Sequence, residues 1–190
     1  TDYIETELQV GNDEANQLRL AYWRRYGATL LGLMRHHGVS AEHFLHQTHQ
    51  LPGLEQRLRA RAGDRMALRR LPGTRLVLTN APRAYAVRVM NHLGLARHFD
   101  AVLSIEDMVM FGHLRPKPDA RMFRRLLALL GVAARRCVLI EDTLEHQKAA
   151  RGVGMATVWM QGFLKPAHGQ APHHRLARKP AYVDRSVRRL

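Results

Sequence analysis

The spacing of apolar residues changes several times along this chain, and each change marks an element. From Glu14 to Tyr26 there is no proline, and Leu18, Tyr22 and Tyr26 recur at steps of four, the spacing of one helix face. Ala28 to His36, with Leu30, Leu31, Leu33 and Met34, predicts a second helix that breaks at Gly38-Val39-Ser40. Ser40 is a good N-cap for a helix over Ala41 to Gln47, with Glu42 in its first turn. Residues 1–50 therefore read as helices. Leu51-Pro52-Gly53 ends this region, and Leu54 to Arg61 and Asp64 to Leu71 read as helical again.

After Pro72-Gly73 the pattern becomes that of strands. Leu76-Val77-Leu78 is a short apolar run ending in Thr79-Asn80, and Cys137 to Ile140 is another ending in Glu141-Asp142. Short apolar runs with polar ends predict strands buried on both faces, as in a parallel sheet. Ala101 to Ile105 and Ala156 to Met160 read as two more. Helices are predicted over Pro82 to Leu93, Asp119 to Leu130 and Leu144 to Arg151, with Gly94 and Gly131 closing the first two. Glu106 to Pro116 reads as a loop. Strands alternating with helices predict an α/β fold, a Rossmann-like parallel sheet with helices on both faces. Beyond Gln161 the pattern fades: His168 to Lys179 reads as loop, and Tyr182 to Leu190 as a short terminal element. The expected divisions are residues 1–53, 54–165 and a basic tail, 166–190.

Ligands of open α/β sheets bind beyond the carboxyl ends of the strands, so the residues there are the candidates for chemistry. Glu141 and Asp142 admit two readings. Adjacent carboxylates are costly to hold together without a positive partner, and a hard divalent cation supplies one. Acids also favour a helix N-terminus, and a helix starts near Leu144. Thr79 offers a hydroxyl and Asn80 an amide, and Lys117 stands between Pro116 and Pro118 just before a helical run. A hydroxyl, a fixed cation and a carboxylate pair, each at an element boundary, suit a phosphate-plus-metal site.

In order and spacing, Leu78-Thr79-Asn80, Lys117-Pro118 and Glu141-Asp142-Thr143 resemble the second, third and fourth motifs of the haloacid dehalogenase-like phosphohydrolases. Ala81 to Ala86, Leu93-Gly94, Phe99-Asp100, Ala149-Ala150 and Gly154 to Trp159 look like the pyrimidine 5'-nucleotidase branch. The resemblance covers about Tyr22 to Trp159. It implies an α-helical cap near the N-terminus, inserted into the Rossmann-like core and closing over a small phosphorylated substrate. It also implies magnesium-dependent phosphomonoester hydrolysis through an aspartyl-phosphate. On this resemblance Asp142 is a metal ligand, with Glu141 beside it directly or one shell out. Lys117 neutralises charge on the nucleophile and phosphoryl group, and Thr79 and the Asn80 backbone N–H bind phosphoryl oxygens. His146 departs from the pattern, where many members carry Asn or Asp.

The family's first motif, Asp-x-Asp at the end of a central strand, occurs nowhere in these residues. The expectation is that this strand lies upstream of Thr1, omitted or lost to a mis-assigned start, and that residues 1–190 alone are inactive. The competing reading is a non-catalytic remnant that binds a phosphate ligand or nucleic acid through its basic surface.

Composition adjusts this picture only at its edges. The net charge is +14 over 190 residues, and lysine occurs only at 117, 148, 165 and 179, so the excess is arginine. Those arginines are scattered, with no aromatic-interleaved platform, which favours solvated helix faces over a nucleic-acid partner. His43 and His46 lie three apart on a predicted helix, but no cysteine or acid cluster completes a metal set, so surface histidines are expected. The single cysteine, Cys137, excludes an internal disulfide framework and suits a reducing, cytoplasmic compartment. No apolar run reaches membrane-spanning length, and no membrane partner is expected. Nothing in the sequence fixes an oligomeric state.

Overall fold

The structure is a computed structural model that describes residues 1–162 and 179–188. The expected loop from His168 to Lys179 lies outside the described residues except at Lys179, as do the last two residues of the expected terminal element. The chain forms two compact units, Thr1–Lys117 and Pro118–Leu190.

The first unit opens with four helices: α1 (Asp2–Leu8), α2 (Asn12–Tyr26), α3 (Thr29–His37) and α4 (Ala41–His49). Their apolar stripes meet around Ile4, Ala15, Leu33 and Val39, with Tyr3, Leu18, Tyr22 and Phe44 packed against them. Gly32 is required by this packing: a Cβ there would fall 2.1 Å from Cγ of Tyr22, so α2 and α3 approach closely only over glycine. Ser40 caps α4 as its sequence predicts, accepting from the His43 N–H. The aromatic and histidine residues of this region largely satisfy one another. Tyr22 Oη pairs with His37 Nε2 and Tyr26 Oη with His36 Nε2, both at 2.6 Å, and Tyr3 Oη with His43 Nδ1 at 3.0 Å. Among the described residues no group of three or more His, Cys, Asp or Glu side chains is placed to hold a metal.

Next come α5 (Leu54–Arg57), shorter than its apolar pattern suggested, and α6 (Ala62–Arg70). Strand β1 (Leu76–Leu78), helix α7 (Arg83–His92) and strand β2 (Ala101–Leu103) then form a β-α-β unit. The two strands pair in parallel with Leu76 opposite Ala101 and Leu78 opposite Leu103. The segment expected as loop instead holds an antiparallel hairpin, β3 (Val109–Met110) and β4 (His113–Leu114). Its two-residue turn puts Phe111 at φ 50° and Gly112 at φ 74°, the double left-handed geometry that matches the twist of paired strands.

The second unit repeats the alternation: α8 (Ala120–Leu130), β5 (Val138–Glu141), α9 (Leu144–Gly152), β6 (Ala156–Met160) and β7 (Arg185–Val187). Asp119 caps α8 by accepting from the Arg121 N–H, and Gly131 closes it in the left-handed conformation. Buried Met122, Phe123, Leu126 and Leu127 form the inner stripe of α8. The three strands are parallel in the order β5-β6-β7. Thr157, wholly buried, holds β7's approach in place: its hydroxyl donates to Tyr182 O at 3.0 Å and accepts from the Asp184 N–H at 3.1 Å. Strand β5 is buried on one face and not both. Leu139 is 7% exposed, whereas Val138 and Ile140 on the other face are 56% and 39% exposed. Among the described residues β5 is an edge strand of its sheet. No helix of the described residues is long and apolar enough to cross a membrane.

Candidate active-site residues

In the first unit the candidate residues gather at the carboxyl end of β1. Thr79 extends the parallel pairing by one residue, its N–H donating to Leu103 O at 2.9 Å. The chain then turns toward α7, and the Ala81 N–H donates to Thr79 Oγ1 at 3.0 Å. That bond uses the hydroxyl as an acceptor and leaves its own proton available to donate.

The Asn80 side chain has a role that the sequence did not reveal. Its Nδ2 donates to Lys117 O at 2.9 Å and its Oδ1 accepts from the Lys117 N–H at 3.0 Å. One amide therefore grips both backbone groups of Lys117 across a separation of 37 residues. Lys117 itself is only 6% exposed, and its Nζ donates to Leu78 O at 2.9 Å. A buried ammonium is costly to desolvate and is tolerated only where it is held and partnered. Thr79, Asn80 and Lys117 are thus brought together, with the lysine held by Asn80 and limited further by Pro116 and Pro118.

Two acids outside the expected set support this corner of the unit. The Glu106 carboxylate accepts from the Arg83 N–H at 3.0 and 3.1 Å, filling the first position of α7 where no side-chain cap precedes it. Asp107 Oδ2 accepts from the Ser104 N–H at 2.8 Å and from Ser104 Oγ at 3.0 Å, and pairs with the Arg83 guanidinium. Burial pushes both carboxyls up, but hydrogen bonds from backbone N–H groups and Ser104, together with the Arg83 charge, hold them below the usual carboxylate range. The spacing Ser104-x-x-Asp107 was the available signal, since it has the form of a capping box.

In the second unit the β5–β6 ladder ends at Glu141 opposite Trp159. Glu141 Oε1 accepts from the Asp142 N–H at 3.1 Å and from the Thr143 N–H at 3.2 Å. Its other oxygen lies 3.2 Å from His146 Nδ1, an ion-pair distance whose angles fall short of a hydrogen bond. Asp142 is exposed. Glu141 Oε1 thus serves the two N–H groups just before α9, and Thr143 Oγ1 donates to Asp142 Oδ1 at 3.5 Å. Carboxylate oxygens at a strand terminus are the donor type that magnesium takes.

Two wholly buried side chains reach the same turn from behind. Gln147 Nε2 donates to Glu141 O and to Val158 O, both at 2.7 Å. Trp159 Nε1 donates to Asp142 O at 2.9 Å.

A family model described as a haloacid dehalogenase-like hydrolase matches residues 4–154. The chain belongs to that family. Among curated relatives, the fructose-1-phosphate phosphatase YqaB of Escherichia coli (strain K12) is 35% identical over 80 residues, 42% of this chain and 40% of that protein. A phosphoserine phosphatase of Thermus thermophilus is 37% identical over 79 residues, 41% of this chain and 30% of that protein. The chain therefore spans less than half the length of the curated relatives it matches. Two solved structures share the fold. A haloacid dehalogenase-like protein of unknown function from Agrobacterium tumefaciens has TM-score 0.58 at 24% identity, covering 90% of this chain and 78% of that one. The L-2-haloacid dehalogenase of Xanthobacter autotrophicus, with chloropropionic acid covalently bound, has TM-score 0.58 at 20% identity, covering 90% and 79%.

Proposed function

We propose that the protein is a magnesium-dependent phosphomonoesterase acting on a small phosphate ester, with a pyrimidine nucleoside 5'-monophosphate the first substrate to test. The observation that carries this reading is the buried Lys117, clasped by Asn80 at the carboxyl end of β1 beside Thr79. A cation held there at a desolvation cost is suited to meeting an anion, and the phosphatases among the relatives support reading that anion as a phosphoryl group.

In this reading Thr79 donates its hydroxyl to a phosphoryl oxygen, and the Asn80 N–H lies next to it in sequence. Lys117 supplies a point charge that stabilises charge developing on the transferring phosphoryl group. Asp142 is the main side chain of this chain holding magnesium, with Glu141 ordering the turn and standing as a second oxygen donor. Magnesium, when bound, neutralises phosphoryl charge and orients the ester for attack. Residues 1–190 contain no Asp-x-Asp, the motif expected to supply the attacking aspartate in this family. The helices over residues 1–53 are read as the cap over the substrate, residues 54–165 as the core, and 166–190 as a basic tail. The single Cys137 suits a reducing, cytoplasmic setting.

The test is phosphate release by the full-length protein from a panel of phosphomonoesters, with magnesium and with chelator. Pyrimidine nucleoside 5'-monophosphates, fructose 1-phosphate and phosphoserine belong in the panel. Magnesium-dependent turnover of any of them supports the activity, and the highest kcat/KM identifies the substrate class. Halide release from a 2-haloacid with no phosphatase activity would overturn the proposal in favour of dehalogenase chemistry.

A further inference from the structure

The two peptide planes that flank Asp142 are each held from both sides by side chains. In the first plane, the carbonyl of Glu141 accepts from Gln147 Nε2 at 2.7 Å, and the N–H of Asp142 donates to Glu141 Oε1 at 3.1 Å. In the second, the carbonyl of Asp142 accepts from Trp159 Nε1 at 2.9 Å, and the N–H of Thr143 donates to Glu141 Oε1 at 3.2 Å. Four backbone groups around one residue are therefore satisfied by three side chains. The ladder with β6 stops at Glu141, so it cannot hold the Asp142 carbonyl. The donors arise from different elements, Gln147 from α9 and Trp159 from β6, and both are wholly buried. Gln147 also ties the turn to the neighbouring strand through Val158 O.

We propose that Trp159 and Gln147 are positioning residues for Asp142, fixing the peptide planes on either side of it so that its carboxylate meets magnesium in one geometry. This rests on the reading of Asp142 as the metal-holding side chain. Both residues bond to backbone carbonyls and would not touch the metal. Each acts by removing backbone freedom from a turn that would otherwise have to be ordered when the ion binds, and supports of this kind commonly contribute a factor of about ten to a hundred in metal affinity. The competing explanation is that both merely satisfy buried carbonyls. That explanation predicts lost stability with unchanged metal affinity in the protein that remains folded.

The experiment uses the full-length protein and compares Trp159→Phe, Gln147→Met and Asp142→Ala with the parent. Magnesium dissociation constants are measured by calorimetry, and thermal midpoints and kcat at low and saturating magnesium are measured beside them. Leu139→Val, a buried change in β5 away from these bonds, is the control for destabilisation alone. Trp159→Phe keeps an aromatic ring and removes the indole donor. It is expected to weaken magnesium binding about ten- to hundredfold. Saturating magnesium should recover most of the lost turnover, and Gln147→Met should behave in the same direction. Parental magnesium affinity in both variants, with Asp142→Ala binding none, would overturn this inference and leave the metal reading standing. Parental affinity in Asp142→Ala would overturn the metal reading beneath it. A second readout covers the case in which the variants do not fold. Residues 1–190 hold two tryptophans, Trp23 and Trp159, so Trp159 is the sole indole once Trp23 and any tryptophan outside residues 1–190 are replaced by Phe. Saturating magnesium should change its emission, and an unchanged spectrum would count against the coupling.

Discussion

Replacing Asn80 with alanine tests the clasp that holds Lys117, and its cost follows from the geometry. The substitution removes two hydrogen bonds, Nδ2 to Lys117 O at 2.9 Å and the Lys117 N–H to Oδ1 at 3.0 Å. Each bond contributes about 1 kcal/mol net. The larger effect comes from what is left behind: a backbone donor and acceptor on a residue 6% exposed, each costing about 1–3 kcal/mol if water cannot reach it. Partial access for water sets the expected loss at about 2–4 kcal/mol, or a fall in thermal midpoint of about 5–15 °C for a chain of this size. Asn80→Asp sharpens the test. It keeps an acceptor for the Lys117 N–H but sets a carboxylate oxygen against the Lys117 carbonyl, so it should not restore stability. Denaturant unfolding of parent and both variants at pH 7 supplies the measurement. If Asn80→Ala unfolds within about 0.5 kcal/mol of the parent, the clasp is not a source of order, and the held-lysine argument fails with it.

Lys117→Met in the full-length protein should slow turnover by about a hundredfold or more, because a charge facing the transition state is lost. Its thermal midpoint is measured beside turnover, so that a lost charge is separated from lost stability. Lys117→Arg should not recover activity, a planar fork being a poor substitute for a compact ammonium, and near-parental turnover in both variants would remove the catalytic role. Glu106→Gln keeps an oxygen that can accept from the Arg83 N–H but loses the charge, so it should destabilise the protein at pH 7 by about 0.3–1 kcal/mol, the usual value of a carboxylate at a helix N-terminus. The folded carboxyl lies below its ordinary range, so its contribution is present above the unfolded pKa and lost as pH falls through the folded one. Denaturation curves of parent and variant should therefore converge in strong acid, and a difference that persists there would contradict the capping role. Residues 1–190 alone should show no magnesium-dependent hydrolysis of a generic phosphate ester, and measurable turnover by a preparation of that mass would refute this.

Much of the fold was legible because its signals are local. The apolar runs at Leu76–Leu78 and Val138–Ile140, the glycine stops and the Ser40 cap each depend on residues within a few positions. The hairpin of β3 and β4 was not legible. Its turn places Phe111 at φ 50°, a position usually taken by Gly, Asn or Asp, so the ordinary hairpin signal is missing from the sequence. The candidate site was legible as residue types and spacing but not as contacts. The Asn80 grip on Lys117 spans 37 residues, and the Trp159 bond to Asp142 spans 17, and no periodicity encodes such pairings. Glu141 and Asp142 look equivalent in the sequence. They separate only when the backbone turn shows that Glu141 Oε1 accepts the next two N–H groups.

The central claim is that this chain contributes the metal-holding carboxylate and the phosphate-facing cation of a phosphomonoesterase. Its most direct test is magnesium-dependent phosphate release by the full-length protein, parent against Asp142→Ala, from the best substrate of the panel. Chelator is expected to abolish parental turnover and added magnesium to restore it, while Asp142→Ala stays inactive at every magnesium concentration with its fold retained. Turnover in Asp142→Ala equal to the parent, or parental turnover indifferent to chelator, would contradict it.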